Sequence, residues 1–212
     1  MDGGESMHYE DRDFLETADE EMLHMISRAR ELTREYYFTA FSDTERRNEI
    51  LKELLGSVGK NVVIDVPIHC DHGKNIFLGD NVIINMNCTF VDNQPIRIGS
   101  QVLIASNVQF YTSSHPVLPQ ERLVSDWEET GTTFFRTYAR PIEIQDNVWI
   151  GGGSIILAGV TIGENSVIGA GSVVTKSIPA NCVAVGNPCK VIRCFADEAE
   201  KRNTIPEQVF RH

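Results

Sequence analysis

Ile144-Gln145-Asp146-Asn147-Val148-Trp149 is followed by Ile150-Gly151-Gly152-Gly153-Ser154-Ile155, Ile156-Leu157-Ala158-Gly159-Val160-Thr161, Ile162-Gly163-Glu164-Asn165-Ser166-Val167 and Ile168-Gly169-Ala170-Gly171-Ser172-Val173, with Val174 next. Each six-residue unit opens on an aliphatic side chain. Its fifth position is small or branched: Val148, Ser154, Val160, Ser166 and Ser172. A period of six fits neither strand alternation nor one or two turns of a 3.6-residue helix, but it is the period of a β-helix built from hexapeptides. Each unit then lays one short strand on one face of a triangular solenoid, and the aliphatic residue points to the axis, where stacked copies form apolar ladders.

The same cadence extends upstream through Leu78, Ile84 and Phe90 and through Ile98, Ile104 and Phe110, with Val82, Cys88, Val102 and Val108 in the second inward column. Gly79, Gly99, Gly151, Gly163 and Gly169 follow ladder positions, and Asn81, Asn107, Asn147 and Asn165 recur at the turns, where close packing or a positive φ is required. The register breaks twice. Phe90 and Ile98 are eight apart, which puts a bulge near Asn93-Gln94-Pro95, and Phe110 and Ile144 are thirty-four apart. The second gap contains Val117 to Arg140, a polar, proline-interrupted insert of the kind that carries function in a compact solenoid.

Residues 1–58 read as a helical segment, 59–195 as the solenoid with its 117–140 insert, and 196–212 as a charged tail that leaves it as a short helix. A capping box at Thr17-x-x-Glu20 opens a helix with apolar positions Met22, Ile26, Ala29, Leu32 and Tyr36. A second box, Ser42-x-x-Glu45, precedes Ile50, Leu51, Leu54 and Leu55, and Gly56 is placed to end that helix in a left-handed conformation. Together they predict a helical hairpin. With 212 residues, 42% of them apolar, the chain suffices for one good-sized domain plus an appendage. A net charge of −11 argues against nucleic acid or an anionic membrane as the main partner. No membrane span or signal peptide is evident, so a cytoplasmic location is expected. The five cysteines, an odd number with no C-x-x-C pair, read as reduced, mostly buried thiols.

Candidate chemistry gathers where the repeat gives way to the insert, at Tyr111-Thr112-Ser113-Ser114-His115-Pro116. An imidazole there can face a cleft and take a proton near neutral pH. Ser113 and Ser114 are discounted as nucleophiles, because a triad is assembled in space and needs an orienting acid. Two other functions fit a solenoid: a metal-dependent lyase of the γ-carbonic-anhydrase kind and a non-catalytic assembly module. His69-Cys70-Asp71-His72 bears on the first, but alternate residues of a strand point to opposite sides, so at most two of these donors converge. No catalytic metal is expected.

These residues carry a family resemblance. The helical hairpin, Cys70-Asp71-His72-Gly73-Lys74-Asn75-Ile76-Phe77-Leu78-Gly79, His115-Pro116, Asp146 to Gly152, Gly169 to Lys176 and Gly186-Asn187-Pro188 resemble the maltose and galactoside O-acetyltransferases among the hexapeptide-repeat acyltransferases. The resemblance implies a left-handed parallel β-helix, an exception to the usual right-handed crossover, assembled as a homotrimer with active sites between subunits. It implies acetyl-CoA as co-substrate and a sugar as acceptor. His115 would be the general base and Asn85 the residue that stabilises the transition state or holds the acceptor. Asp71 and Asn93 match acceptor-binding positions, and Gly152, Ala170, Thr175, Lys176, Lys190 and Arg193 match cofactor contacts. Trp149, read from its own position near the start of the third set of coils, fits either plain packing or an indole that shelters the acyl-CoA chain beside a groove. The chain departs from the family pattern at Ile83, Asn93 and Thr137 and in a longer insert that adds Trp127, Phe134 and Phe135.

Overall fold

The structure is a computed structural model that describes residues 14–15 and 20–195. The expected solenoid is present as a left-handed parallel β-helix, a three-sided prism wound in successive coils. The first face stacks Ser57–Val58, Ile76–Leu78, Ile96–Ile98, Ile142–Ile144 and Thr161–Ile162. The second stacks Val63–Ile64, Ile83–Ile84, Leu103–Ile104, Trp149–Ile150, Val167–Ile168 and Cys182–Val185. The third stacks Ile68–Cys70, Cys88–Val91, Gln109–Tyr111, Ile155–Leu157 and Val173–Val174. The chain visits the faces in that order on every coil.

The hexapeptide register sets the core. Leu78, Ile98, Ile144 and Ile162 pair in one ladder, Ile84, Ile104, Ile150 and Ile168 in a second, and Phe90, Phe110, Ile156 and Val174 in a third. All are buried, as is every predicted member of the second inward column. The Phe90 and Phe110 rings stack at 4.8 Å, a geometry worth about 0.5–1.5 kcal/mol beyond the area it buries. The three column serines keep the interior satisfied: Ser154 Oγ donates to Gly151 O and Ser166 Oγ to Pro179 O, both at 2.7 Å, and Ser172 Oγ donates to Gly169 O.

The corners divide the turn chemistry between two residue types. Asn81, Asn107, Asn147 and Asn165 take positive φ near 60°, and their amides bond along the stack, Asn147 Nδ2 to Asn165 Oδ1 at 2.9 Å. The glycines after ladder positions do not need positive φ. A Cβ on Gly163 would lie 2.3 Å from Ala180 N, so glycine is required there by the neighbouring coil's backbone.

Helix α1 (Glu20–Phe38) and helix α2 (Thr44–Leu54) form the predicted hairpin and close the first end of the prism. Tyr36 Oη and Arg47 Nη2 both donate to Ile64 O, at 2.8 and 2.7 Å, and the buried guanidinium lies 3.9 Å over the Tyr36 ring. Two boundary expectations are corrected. The cap of α2 is Asp43, whose Oδ1 accepts from Arg46 N, because the helix starts one residue later than the Ser42 box implied. Gly56 does not take a left-handed turn: Leu55 is extended and Gly56 N donates to Ile76 O, so the chain enters the first face directly. Thr17 and the predicted C-terminal helix lie outside the described residues.

The cysteine expectation is also corrected. Cys182 and Cys194 form a disulfide, because the last strand, Lys190–Cys194, turns back antiparallel on Cys182–Val185 and brings the two into register. Cys70, Cys88 and Cys189 are free. Thus the cysteine count no longer argues for a reducing compartment. No helix among the described residues is long and apolar enough to cross a membrane.

Candidate active site

The corner between the third and first faces collects the first group of predicted residues. Asp71 follows the strand Ile68–Cys70, Asn93 follows Cys88–Val91, and the insert leaves one coil further on, after Gln109–Tyr111. Asn93 Nδ2 reaches Asp71 Oδ2 at 3.4 Å. Behind them lies Asp92, fully buried and missed in the sequence. Its Oδ1 accepts from Asp71 N at 3.0 Å and His72 N at 2.9 Å, and its carbonyl accepts from Asn75 Nδ2 at 2.7 Å. The eight-residue gap after Phe90 was the available signal, since the two extra residues widen this corner. The bulge is held by Thr112, whose Oγ1 accepts from Gln94 N and donates to Val91 O.

Burial pushes the Asp92 carboxyl up to about 6, against the opposing pull of the His72 and Asp71 amides and the His72 ring. In the unfolded chain it titrates near ~3.9. Between these values the folded state holds more protons, so stability falls as pH rises through the window. Relative to wild type, Asp92→Asn is therefore expected to gain on the order of 2 kcal/mol between pH ~4 and ~6.5, whatever its constant offset. Urea unfolding at both pH values reads this out; parallel curves for the two proteins contradict it.

The insert is more ordered than its composition implied. Ser113–Ser114 pairs antiparallel with Thr137–Ala139, which pairs in turn with Phe14–Leu15. Short helices at Pro119–Arg122 and Trp127–Thr130 occupy the span between. His115 follows directly from this ribbon and is exposed. Its Nδ1 lies 2.9 Å from Arg136 O and 3.4 Å from Thr137 Oγ1, and Phe135 packs edge-on at 5.3 Å. A carbonyl oxygen can only accept, so in the neutral ring Nδ1 carries the proton and Nε2 keeps a free lone pair. These partners, not Ser113 or Ser114, orient the ring. A groove of about 270 Å³ is lined by Tyr111 and Ser114, which precede His115 in the chain, and by Tyr138, Arg140, Leu157 and Thr175, with Lys176 next in the chain.

The remaining predicted residues lie elsewhere. Asn85 follows Ile83–Ile84 at the corner between the second and third faces. Gly152 and Ala170 occupy the same corner on later coils, tied by Gly171 N donating to Gly152 O at 2.9 Å. Trp149 is 53% exposed on the second face, in register with exposed Leu103, Ile83 and Val63. Lys190 and Arg193 lie on the last strand. Asn85, Gly152 and Ala170 therefore occupy the edge of the third face opposite to Asp71, Asn93 and the start of the insert. At about 3.3 Å per residue, the four-residue strand Cys88–Val91 sets those edges on the order of 13 Å apart. His69 is exposed and His72 buried, and among the described residues no three His, Cys, Asp or Glu side chains converge.

The comparisons agree with this architecture. Residues 141–176 match the bacterial transferase hexapeptide (six repeats) family model, and residues 14–59 match the maltose acetyltransferase hexapeptide capping motif. The galactoside O-acetyltransferase of Escherichia coli (strain K12) is 43% identical over 170 residues, 80% of this chain and 79% of that protein. The crystal structure of a maltose O-acetyltransferase from Clostridium difficile 630 superposes with a TM-score of 0.78 at 45% identity, covering 86% of this chain and 92% of that one. A galactoside acetyltransferase in complex with coenzyme A gives 0.80 at 38% identity, covering 90% of each. The fold and these matches define a hexapeptide-repeat transferase. Within that class the chain belongs to the maltose and galactoside O-acetyltransferase family, and it is an acetyltransferase.

Proposed function

We propose that this chain transfers acetyl from acetyl-CoA to a hydroxyl of a glucosyl, galactosyl or maltose-type sugar, in a site shared between copies of a homotrimer. The observation that carries the reading is the exposed His115 ring, fixed through Nδ1 with Nε2 left free, one residue beyond the groove-lining Ser114. Asp71 and Asn93 hold the acceptor. Nε2 takes the hydroxyl proton as the sugar oxygen bonds to the thioester carbon. Asn85 Nδ2 donates to the oxyanion of the tetrahedral intermediate. The carbon–sulfur bond then breaks, and the imidazolium returns its proton to the departing thiolate. Gly152, Ala170, Thr175 and Trp149 line the course of the cofactor, and Lys176, Lys190 and Arg193 meet its phosphates. That local positive cluster offsets the acidic character of the chain.

The division of residues supports a shared site. Corners separated by a strand of about 13 Å place Asn85 and His115 well beyond the roughly 3 Å of a catalytic hydrogen bond, which favours a site completed by a second chain. In a threefold ring each chain offers one edge of its third face to each neighbour, so Asn85 of one copy meets His115 of another. The exposed apolar column Val63, Ile83, Leu103 and Trp149 is the surface such a ring would cover. Sedimentation with a thiol-release assay tests this. The wild type is expected to sediment as a trimer, and Leu103→Asp to sediment as an inactive monomer; a monomer with full turnover contradicts the shared site.

A further inference from the structure

The last strand is anchored at its two ends and exposed between them. Lys190–Cys194 is the edge strand of its sheet and, among the described residues, pairs only with Cys182–Val185. Lys190, Val191, Ile192 and Arg193 are all exposed, so burial of their side chains does little to keep the strand in place. At one end Cys189 is buried and its N–H donates to Val173 O at 2.8 Å. At the other, Cys194 is bonded to Cys182 across the antiparallel pair. Cys182 is 1% exposed, whereas Cys194 is only partly buried and is the partner that a reagent in solution can reach.

We propose that Cys182 and Cys194 form a redox modification site, a dithiol–disulfide couple exchanged with small thiols of the glutathione class, whose state sets the affinity for acetyl-CoA by fixing or releasing the strand that carries Lys190 and Arg193. The inference rests on the reading of those two side chains as phosphate contacts. In the reducing direction a thiolate attacks Sγ of Cys194, the bond to Cys182 breaks, and Cys182 leaves as a thiolate that takes up a proton. A second thiolate attacks the small-molecule sulfur of the mixed disulfide and releases Cys194, which is protonated in turn. Two thiols are thereby oxidised to one disulfide, and the protein disulfide gains the two electrons. An edge strand with few apolar contacts opens easily once its covalent end is cut. The other three cysteines are poorly placed to respond, since burial raises the thiols of Cys70 and Cys189 and pushes that of Cys88 up to about 11.

The test compares protein treated with oxidised glutathione and protein reduced with a phosphine, both desalted. Calorimetry measures binding of acetyl-CoA, which has no free thiol, and of S-acetylpantetheine, which lacks the nucleotide and its phosphates. Three thiols per chain are expected in the oxidised form and five in the reduced one. Reduction should weaken acetyl-CoA binding about 10-fold, the size of one lost charge-assisted hydrogen bond, and leave acetylpantetheine binding unchanged. Cys182→Ser/Cys194→Ser should bind acetyl-CoA as the reduced protein does and ignore the oxidant. More than three thiols after oxidised glutathione, equal acetyl-CoA affinities in the two states, a redox effect that survives in the double variant, or the same loss with acetylpantetheine each overturn the redox site. Weaker acetyl-CoA binding by Arg193→Ala in that event leaves the phosphate reading standing. Wild-type affinity in both Lys190→Ala and Arg193→Ala removes the phosphate reading, and the redox site with it.

Discussion

Replacing His115 by alanine is expected to lower kcat by about 10²–10⁴-fold, the usual contribution of a positioned base. The thioester carbon is already electrophilic and thiolate departs readily, so the deprotonation of a weakly nucleophilic hydroxyl is the step the protein must assist. In the proposed mechanism the His115 nitrogen opposite the one held by the Arg136 carbonyl takes that proton. The carbonyl supplies the orientation that the third group of a triad supplies elsewhere, without adding a charge. Binding of CoA should be unchanged, since the ring is assigned no role in holding the cofactor. A His115→Ala protein with full turnover removes the imidazole from the mechanism. Loss of CoA binding together with activity would mean that the ribbon Ser113–Ser114 had been disturbed.

Asn85→Ala is expected to cost about 10²–10³ in kcat, the magnitude found for a single oxyanion donor. The more decisive result comes from mixing. When the His115→Ala and Asn85→Ala chains are refolded together, the proposed shared site, which takes one residue from each of two neighbours, predicts hybrid trimers with some sites that keep both residues intact. Activity well above either parent is then expected, with a ceiling of a fraction of wild type. If both residues of a site came from one chain, no mixture could restore it. Mixtures no more active than the parents, in samples shown to have exchanged subunits, therefore contradict the shared site.

Much of this architecture is legible because a stacked solenoid writes its contacts at constant sequence spacing. Leu78 through Val174 occupy the axis where the six-residue cadence placed them, and the turn asparagines take the positive φ expected of them. The positions that escaped have contacts without a period. Ser113–Ser114 and Thr137–Ala139 are two and three residues long and pair across more than twenty others, so no local pattern announces the ribbon that presents His115. Asp92 lies at an irregular corner, and its value to Asp71 comes from two backbone amides that carry no side-chain signature. The Cys182–Cys194 disulfide depends on the reversal of the final strand, which breaks the cadence the preceding coils obey.

By itself the amino-acid sequence determined the prism, the ladders that fill it and the hairpin over one end, since each is a repeated short-range choice between an inward apolar residue and a turn former. Only the tertiary structure decided which ring nitrogen of His115 is free, how the insert orders its aromatic rings, and that Asn85 lies across one face from Asp71 and Asn93. These depend on which corner each coil presents and on backbone carbonyls brought together from distant segments. Periodicity specifies the depth of a side chain, whereas its partners are set by how the coils stack.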